Sequence, residues 1–301
     1  MVESQHTVIK RRVVKNNRSI NKMLAAARSD HFSVEDYNAV ITATEELSPR
    51  QMIIRVAADG WRLPEFEPGQ FAVLGLPGYT SRCKFSEPEN PPSEPHKLIR
   101  RAYSIASSSL VHEFLEFYIS LISNGALTPR LFDLKIGDPI WLSPKVTGMF
   151  TFDEVPPEMH IILIATGTGL APYMSMLSTL LDCGGERLIS VLHGAYHTWD
   201  LGYRSELLTL QHMCSNFTYF ATIDRPEDEP VPWNGPVGFV QDMWRTRVIR
   251  QKWGFDPTPE NTHIFLCGNP AMIEDAVRIL SAEGYREHTH SDPGQIHIER
   301  Y

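Results

Sequence analysis

"IILIATGTGLAPYMSML", residues 161–177, decides the fold of the C-terminal half of the chain. Five consecutive apolar residues lead into Thr166, two glycines follow within three positions, and a helical pattern opens with Pro172 in its first turn. An apolar run bounded by glycine reads as a strand buried on both faces. Pro is tolerated in a first helical turn because the N–H it lacks would have no intrahelical partner. Strand, glycine turn and helix together bring the backbone amides of Thr166, Gly167, Thr168 and Gly169 toward a pyrophosphate at the helix N-terminus. The spacing is G-x-G-x-x-P, without the third small residue of the dinucleotide fingerprint or the Lys-Ser/Thr of a P-loop, so the loop taken alone also reads as a plain β–α turn.

Further along, apolar runs ("LISVL", "FTYFATI", "HIFLC") alternate with helical patterns ("SELLTLQHM", "GFVQDMWRTRVI", "AMIEDAVRILSAEG"). That alternation predicts a parallel sheet with helices on both faces. Upstream the rhythm differs. Between Asp36 and Phe152, short alternating segments such as "YNAVITATEEL", "RQMIIRVA", "GQFAVLGL", "FLEFYISLI" and "DPIWLSP" predict an antiparallel β-barrel. The fold class is therefore β plus α/β: an N-terminal antiparallel β-barrel followed by a C-terminal parallel-sheet α/β domain. The boundaries are read as a basic arm over 1–30, a barrel over 31–155 and an α/β domain over 156–301, with a proline-bearing linker near Val155–Glu158. Within the barrel, the proline-rich stretch Gly78–Lys97 is expected to be a mobile surface excursion.

Of the 301 residues, 42% are hydrophobic and 21% charged, the composition of a globular chain. The longest apolar run, "MHIILIA", is too short to cross a bilayer. Cys83, Cys183, Cys214 and Cys267 show no C-x-x-C pair and no zinc or iron–sulfur spacing, which predicts free thiols in a reducing compartment. Net charge is −8, unevenly spread: residues 1–28 hold seven Lys/Arg against Glu3, leaving 21 basic and 35 acidic residues in the body. The basic tail reads as a flexible arm, an amphipathic helix or a transit sequence, and lacks the apolar core of a secretory signal. Nucleic-acid binding is disfavoured because no aromatics interleave the basic stretch. Metal catalysis is disfavoured because the histidines form no ligand pattern, "HTH" at His288–His290 reading as a solvent-facing loop.

"RRAYSIASSS", residues 100–109, sets a cation, an aromatic ring and a run of hydroxyls on one strand, and folding alone does not ask for that set. With "RAYS" in the barrel, "TGTGLAP" opening the second domain and "CGNPAMI" near its end, the chain from 36 to 301 resembles the ferredoxin–NADP reductases, in particular their bacterial branch.

The resemblance implies an enzyme that binds FAD and NADP, with NAD as a possible substitute. It implies that Tyr103 stacks on the isoalloxazine, Ser104 bonds near flavin N5 and Arg101 neutralises the FAD pyrophosphate, with Ala102 in the same segment. "SNGALTPRLF" matches the second FAD segment, through Ala126, Leu127 and Thr128, and Tyr118 and Thr168 join the FAD set. At the C-terminus, Tyr301 would cover the other flavin face and Glu299 would relay a proton. Gly167, Gly169, Arg225, Gly268 and Asn269 are assigned to NAD(P), and Cys267 to positioning the nicotinamide. Ser104, Cys267, Glu299 and Tyr301 are the expected catalytic set.

The chain departs from the family at Tyr196 and Phe239, where relatives carry arginines that grip the 2′-phosphate of NADP. Arg204, His193, His197 and Arg245 are candidate substitutes. The implied reaction is hydride transfer between NAD(P)H and flavin N5, coupled to ferredoxin or flavodoxin, in the cytoplasm. Such carriers are acidic, so Arg82, Lys84, Lys97, Arg100 and Lys145 are candidate docking cations. Alternatives are an NADH-preferring reductase component serving an oxygenase and, in another class, a non-catalytic flavin- or nucleotide-binding regulatory subunit.

Overall fold

Two strands joined by a two-residue turn, β1 (Ala39–Ser48) and β2 (Gln51–Ala58), start the N-terminal half, with Ser48 opposite Gln51. Four more follow: β3 (Phe71–Pro77), β4 (Leu98–Ser104), β5 (Leu115–Ser120) and β6 (Pro139–Thr147). All pairings are antiparallel, in the order β4-β3-β6-β1-β2-β5. A bridge between Ile105 and Phe117 joins the end of β4 to β5 and closes the sheet on itself, the barrel the alternating pattern predicts. Its interior is filled by Ile54, Val56, Leu74, Leu76, Phe117, Ile140 and Leu142, and the short helix α1 (Thr128–Leu131) adds Leu131 with its preceding Leu127. Burying such a side chain contributes about 1.5–3 kcal/mol.

The computed structural model describes residues 20–26 and 31–300, and residues 20–26 are helical. The remainder of the basic arm and Tyr301 lie outside the described residues. The chain divides into two compact units, Met1–Gly148 and Met149–Tyr301. Phe150 and Phe152 place the division this early, because both rings pack edge-on against Phe265 of the second unit, 5.2 and 5.0 Å between centroids.

In the second unit, β7 (His160–Thr166), β8 (Ile189–Ala195), β9 (Phe217–Ile223), β10 (Thr262–Cys267) and β11 (Ile296–Glu299) form a parallel sheet in the order β11-β10-β7-β8-β9. Helices α2 (Ala171–Leu180) and α3 (Arg204–Met213) follow β7 and β8; α4 (Asp242–Arg245) and α5 (Val248–Trp253) precede β10, and α6 (Pro270–Ser281) follows it. One sheet face presents Ile162, Ile164, Leu192, Ile264 and Leu266 to Met243, Trp244, Ile249, Ile273 and Leu280. On the other face Phe265 meets Phe150 and Phe152, and Phe150 meets Tyr173 of α2. Among the described residues no helix is long and apolar enough to cross a membrane.

Three expectations are corrected. Cys183 and Cys214 are joined by a disulfide, which leaves Cys83 and Cys267 as the two cysteines outside a disulfide. Their separation of 31 residues hides the pair from spacing rules, yet the segments leading into β8 and β9 bring their Cα atoms to 4.4 Å. The proline-rich excursion is tied down rather than loose: Cys83 N–H donates to the Pro129 carbonyl at 2.9 Å and Glu87 N–H to Ser123 at 2.8 Å. His288 does not simply face solvent. Its side chain is 15% exposed, bonds Glu154 at 2.5 Å and stacks on His297, whose Nε2 lies 2.9 Å from His263 Nδ1.

Candidate functional site

Along β4 the burial runs from Leu98 and Ile99, both buried, through exposed Arg100, Arg101 and Ala102 to half-buried Tyr103 and buried Ser104. Strict alternation fails because β4 pairs only with β3, apart from the bridge at Ile105, so both its faces reach the surface near Arg101. Tyr103 packs against the barrel core with its ring edge-on to Phe117 at 6.5 Å. Burial pushes its phenol above the ordinary range, opposed by the Arg101 charge, so the ring stays neutral. Arg101 donates to the Arg100 carbonyl at 2.7 Å, and no carboxylate pairs with it among the described residues. An unneutralised guanidinium two residues from a half-exposed aromatic offers a planar ligand a stacking face and a phosphate a bidentate donor. This donor set fits FAD.

The second segment assigned to FAD is held from behind. Arg130 is 3% exposed; its guanidinium bonds Glu89, the Ala126 carbonyl and, at 2.7 Å, the Gly78 carbonyl. Arg82 bonds the same Glu89 at 2.9 Å together with the carbonyls of Gly125 and Ser123 at 2.8 and 3.1 Å. Burial alone would raise the Glu89 carboxyl, but the bonds from Arg130 and Ser93 and the charge of Arg82 outweigh it and hold it below the carboxylate range. Two arginines locked on one buried acid thus fix residues 122–130. Arg82 is accordingly withdrawn from the docking cations, whereas Lys84, Arg100 and Lys145 are exposed and Lys97 stands 3.6 Å from Glu94. Leu127 is core, so only its backbone is open to a ligand, and Thr128 exchanges bonds with Ile122 at 3.0 and 3.3 Å. Tyr118 is buried in the barrel wall with its hydroxyl on Gln51 of β2.

In the second unit β7 is flanked by β8 on one side and β10 on the other, and the turns after β7 and β10 leave the sheet at its topological switch point. They interlock there. A Cβ at Gly169 would lie 2.4 Å from the Cys267 carbonyl oxygen, and one at Gly268, where φ is +131°, would lie 2.3 Å from Thr166 Oγ1. Asn269 N–H donates to Thr166 Oγ1 at 2.8 Å while its side chain caps α6 by accepting from Ala271 N–H, also at 2.8 Å. Gly167, with φ of +53°, completes a glycine-lined opening where backbone can approach a pyrophosphate, and this fits a dinucleotide.

The same place brings together two of the expected catalytic residues. Cys267 ends β10 opposite Glu299 of β11, and its buried thiol donates to Glu299 Oε2 at 3.5 Å. Tyr173, on the first turn of α2, is fully buried and donates to the Ile164 carbonyl at 3.0 Å. Burial first, then the nearby Cys267 and Glu299, push its phenol well above the usual range. Tyr173 was missed by sequence reasoning, although a Tyr directly after the Pro of a first helical turn was available as a signal. Glu89 and Arg130 carried none. His193, offered as a substitute phosphate ligand, is corrected: it is wholly buried beside the glycine turn, bonded to Tyr219 at 3.2 Å, and burial lowers its pKa to about 4 despite the Gly167 backbone. A neutral, enclosed imidazole cannot neutralise a phosphate.

Residues 163–278 match the family described as oxidoreductase NAD-binding domain. The chain is 31% identical over 207 residues to the flavodoxin/ferredoxin–NADP reductase of Buchnera aphidicola subsp. Baizongia pistaciae, covering 68% of this chain and 81% of that one. It belongs to the ferredoxin–NADP reductase family. The reductase component of phenol 2-monooxygenase from Pseudomonas sp. (strain CF600) is 31% identical over 251 residues, 82% of this chain and 62% of that protein. Among solved structures, a ferredoxin NADP+ reductase from Neisseria gonorrhoeae with bound FAD and NADP superposes with a TM-score of 0.71 at 24% identity, covering 87% of this chain and 97% of that one. What this chain shares with that structure is the fold, here a barrel followed by a parallel sheet.

Proposed function

We propose that the protein is an FAD-dependent reductase that moves electrons between NAD(P)H and an acidic one-electron carrier, ferredoxin or flavodoxin. The observation that carries this reading is the Cys267–Glu299 pair, 3.5 Å apart at the switch point of a glycine-lined parallel sheet. FAD, when bound, supplies the conversion between a two-electron hydride donor and a one-electron acceptor. The chain's own residues bind, orient and handle protons. Arg101 would neutralise the pyrophosphate, Tyr103 would support the ring, and Ser104 would offer a hydroxyl near flavin N5. The backbone of Ala126–Thr128, held by the Glu89 clamp, would complete the phosphate contacts, and Tyr118 and Thr168 remain proposed members of the FAD set. Gly167, Gly169, Gly268 and Asn269 would cradle the nucleotide, with Arg225 at its far end.

Cys267 would shape the nicotinamide pocket, and Glu299 would hold or release a proton at its Oε2. Tyr301, proposed to cover the flavin, lies outside the described residues. Lys84, Lys97, Arg100 and Lys145 are the cations we propose for docking the carrier, with cytoplasmic residence part of the same reading. The Cys183–Cys214 bond removes cysteine usage as a support for that compartment. A dedicated oxygenase as acceptor is favoured by the monooxygenase relative.

The test is to load the purified protein with FAD and mix it anaerobically with NADH or NADPH. Bleaching of the flavin band by either nucleotide is expected, slowed about 100- to 10,000-fold in Glu299→Gln, the range ascribed to a positioned proton carrier. Failure to bind FAD would remove Arg101, Tyr103 and Ser104 from the site.

A further inference from the structure

On the NAD(P) reading proposed above, we infer that this chain selects NADH over NADPH, with Asp224 as the residue that rejects the 2′-phosphate. Asp224 directly follows β9, and its N–H donates to the Ala195 carbonyl at 3.2 Å. Next to it Arg225 N–H donates to the Tyr196 carbonyl at 3.1 Å, and Gly238 N–H to the Ile223 carbonyl at 2.9 Å. These bonds draw the ends of β8 and β9 and the segment before Phe239 into one rim at the C-terminal edge of the sheet. Tyr196 and Phe239, 53% and 59% exposed, stand on that rim and bring no positive charge to it.

Two of the cations nearby lie over aromatic rings and two stand beside carboxylates. The Arg225 guanidinium lies 4.7 Å above the Tyr196 ring, and that of Arg204 lies 5.3 Å from the Trp233 ring. His197 is held between Asp200 at 3.1 Å and Asp228 at 3.4 Å, and Arg245 is paired with Asp242. The acids outnumber them. One carboxylate oxygen of Asp224 is buried without any hydrogen-bond partner, so no donor offsets its charge there. Glu229 adds a further carboxylate, accepting from Thr198 N–H at 2.7 Å.

A phosphate carries close to two negative charges at neutral pH, and a partly buried carboxylate is poorly screened by salt. Bringing the first against the second is therefore repulsive. A ribose 2′-hydroxyl, by contrast, can donate to a carboxylate, which is how an acid at a strand end selects the cofactor lacking the phosphate.

The experiment is calorimetric titration of the FAD-loaded protein with NAD+ and NADP+, in wild type, Asp224→Ser, Asp224→Asn and the double variant Asp224→Ser/Tyr196→Arg. Wild type is expected to bind NAD+ at least about tenfold tighter than NADP+. Either single variant should narrow that ratio about tenfold by strengthening NADP+, and the double variant should invert it. Tighter NADP+ binding by wild type, or an unchanged ratio in both single variants, would overturn the assignment of Asp224 while leaving the nucleotide site intact. Binding of neither nucleotide would instead sink the NAD(P) reading itself. Asp224→Asn keeps the side chain's shape should Asp224→Ser fail to fold.

Discussion

The two units hold their sites by opposite means. In the barrel, the loop assigned to FAD is fixed by side-chain charge: Glu89, from the proline-rich excursion, clamps Arg82 and Arg130. In the parallel sheet, the nucleotide opening is fixed without charge by close approach of the turns, with Gly169 against the Cys267 carbonyl and Gly268 against Thr166. A charge clamp tolerates an irregular loop but fails all at once when one partner is lost. A backbone interlock fails by degrees, as each added atom forces the turns apart.

The largest effect is expected from breaking the clamp. Glu89→Leu leaves two largely buried guanidiniums without their acid, which should cost about 3–5 kcal/mol of stability. Denaturant unfolding should show this loss, and hydrogen exchange should place it in residues 122–130. If exchange there is unchanged, the clamp is not what orders the loop.

Acid should separate the units next. Burial first, with neighbouring positive charge, lowers His263 to about 4 and His297 to about 3 in the folded second unit. The unfolded chain binds more protons than the folded one between those values and the ordinary histidine pKa. Stability is therefore full above about pH 6.5 and falls as pH drops from there to about 4, by about 3 kcal/mol when the coupled pair is counted once. Glu89, whose folded pKa is lowered, contributes stability to the first unit that is lost only below the ordinary carboxylate value of 4.5. Hydrogen exchange at pH 5 against pH 7 should thus loosen β10 and β11 before the barrel, and the reverse order would contradict the assignment.

The smallest of the three effects should come from Gly169→Ala. Its Cβ presses on backbone that must shift, at a cost of about 1–3 kcal/mol, and nucleotide titrations should weaken while FAD retention holds. Equal loss of both ligands would mean that the interlock supports more than the nucleotide opening.

What was legible in the sequence follows the same division. Gly167, Gly169, Cys267 and Asn269 act through local backbone geometry, so a contiguous motif announces them. The parallel sheet was legible for the same reason, since each strand and helix carries its own period. Glu89 and Arg130 are 41 residues apart and meet only because the barrel closes, so neither advertised its role. Cys183 and Cys214 were hidden likewise, and His263 of β10, His297 of β11 and His288 from the segment before β11 gather away from the ends that carry Cys267 and Glu299. In "RAYS" the residue types were legible, but exposure was not, because it depends on β4 lying at the end of the strand order.

The interlocked turns also bear on how such a chain can change over generations. A side chain added at 169 or 268 meets main-chain atoms that cannot retreat alone, so each of these positions is held to glycine. Tyr196 and Phe239 face open space, and Asp224 sits beside them at a strand end. Selection can therefore rewrite which dinucleotide is accepted by single steps at the rim, while the frame that aligns it is inherited unchanged.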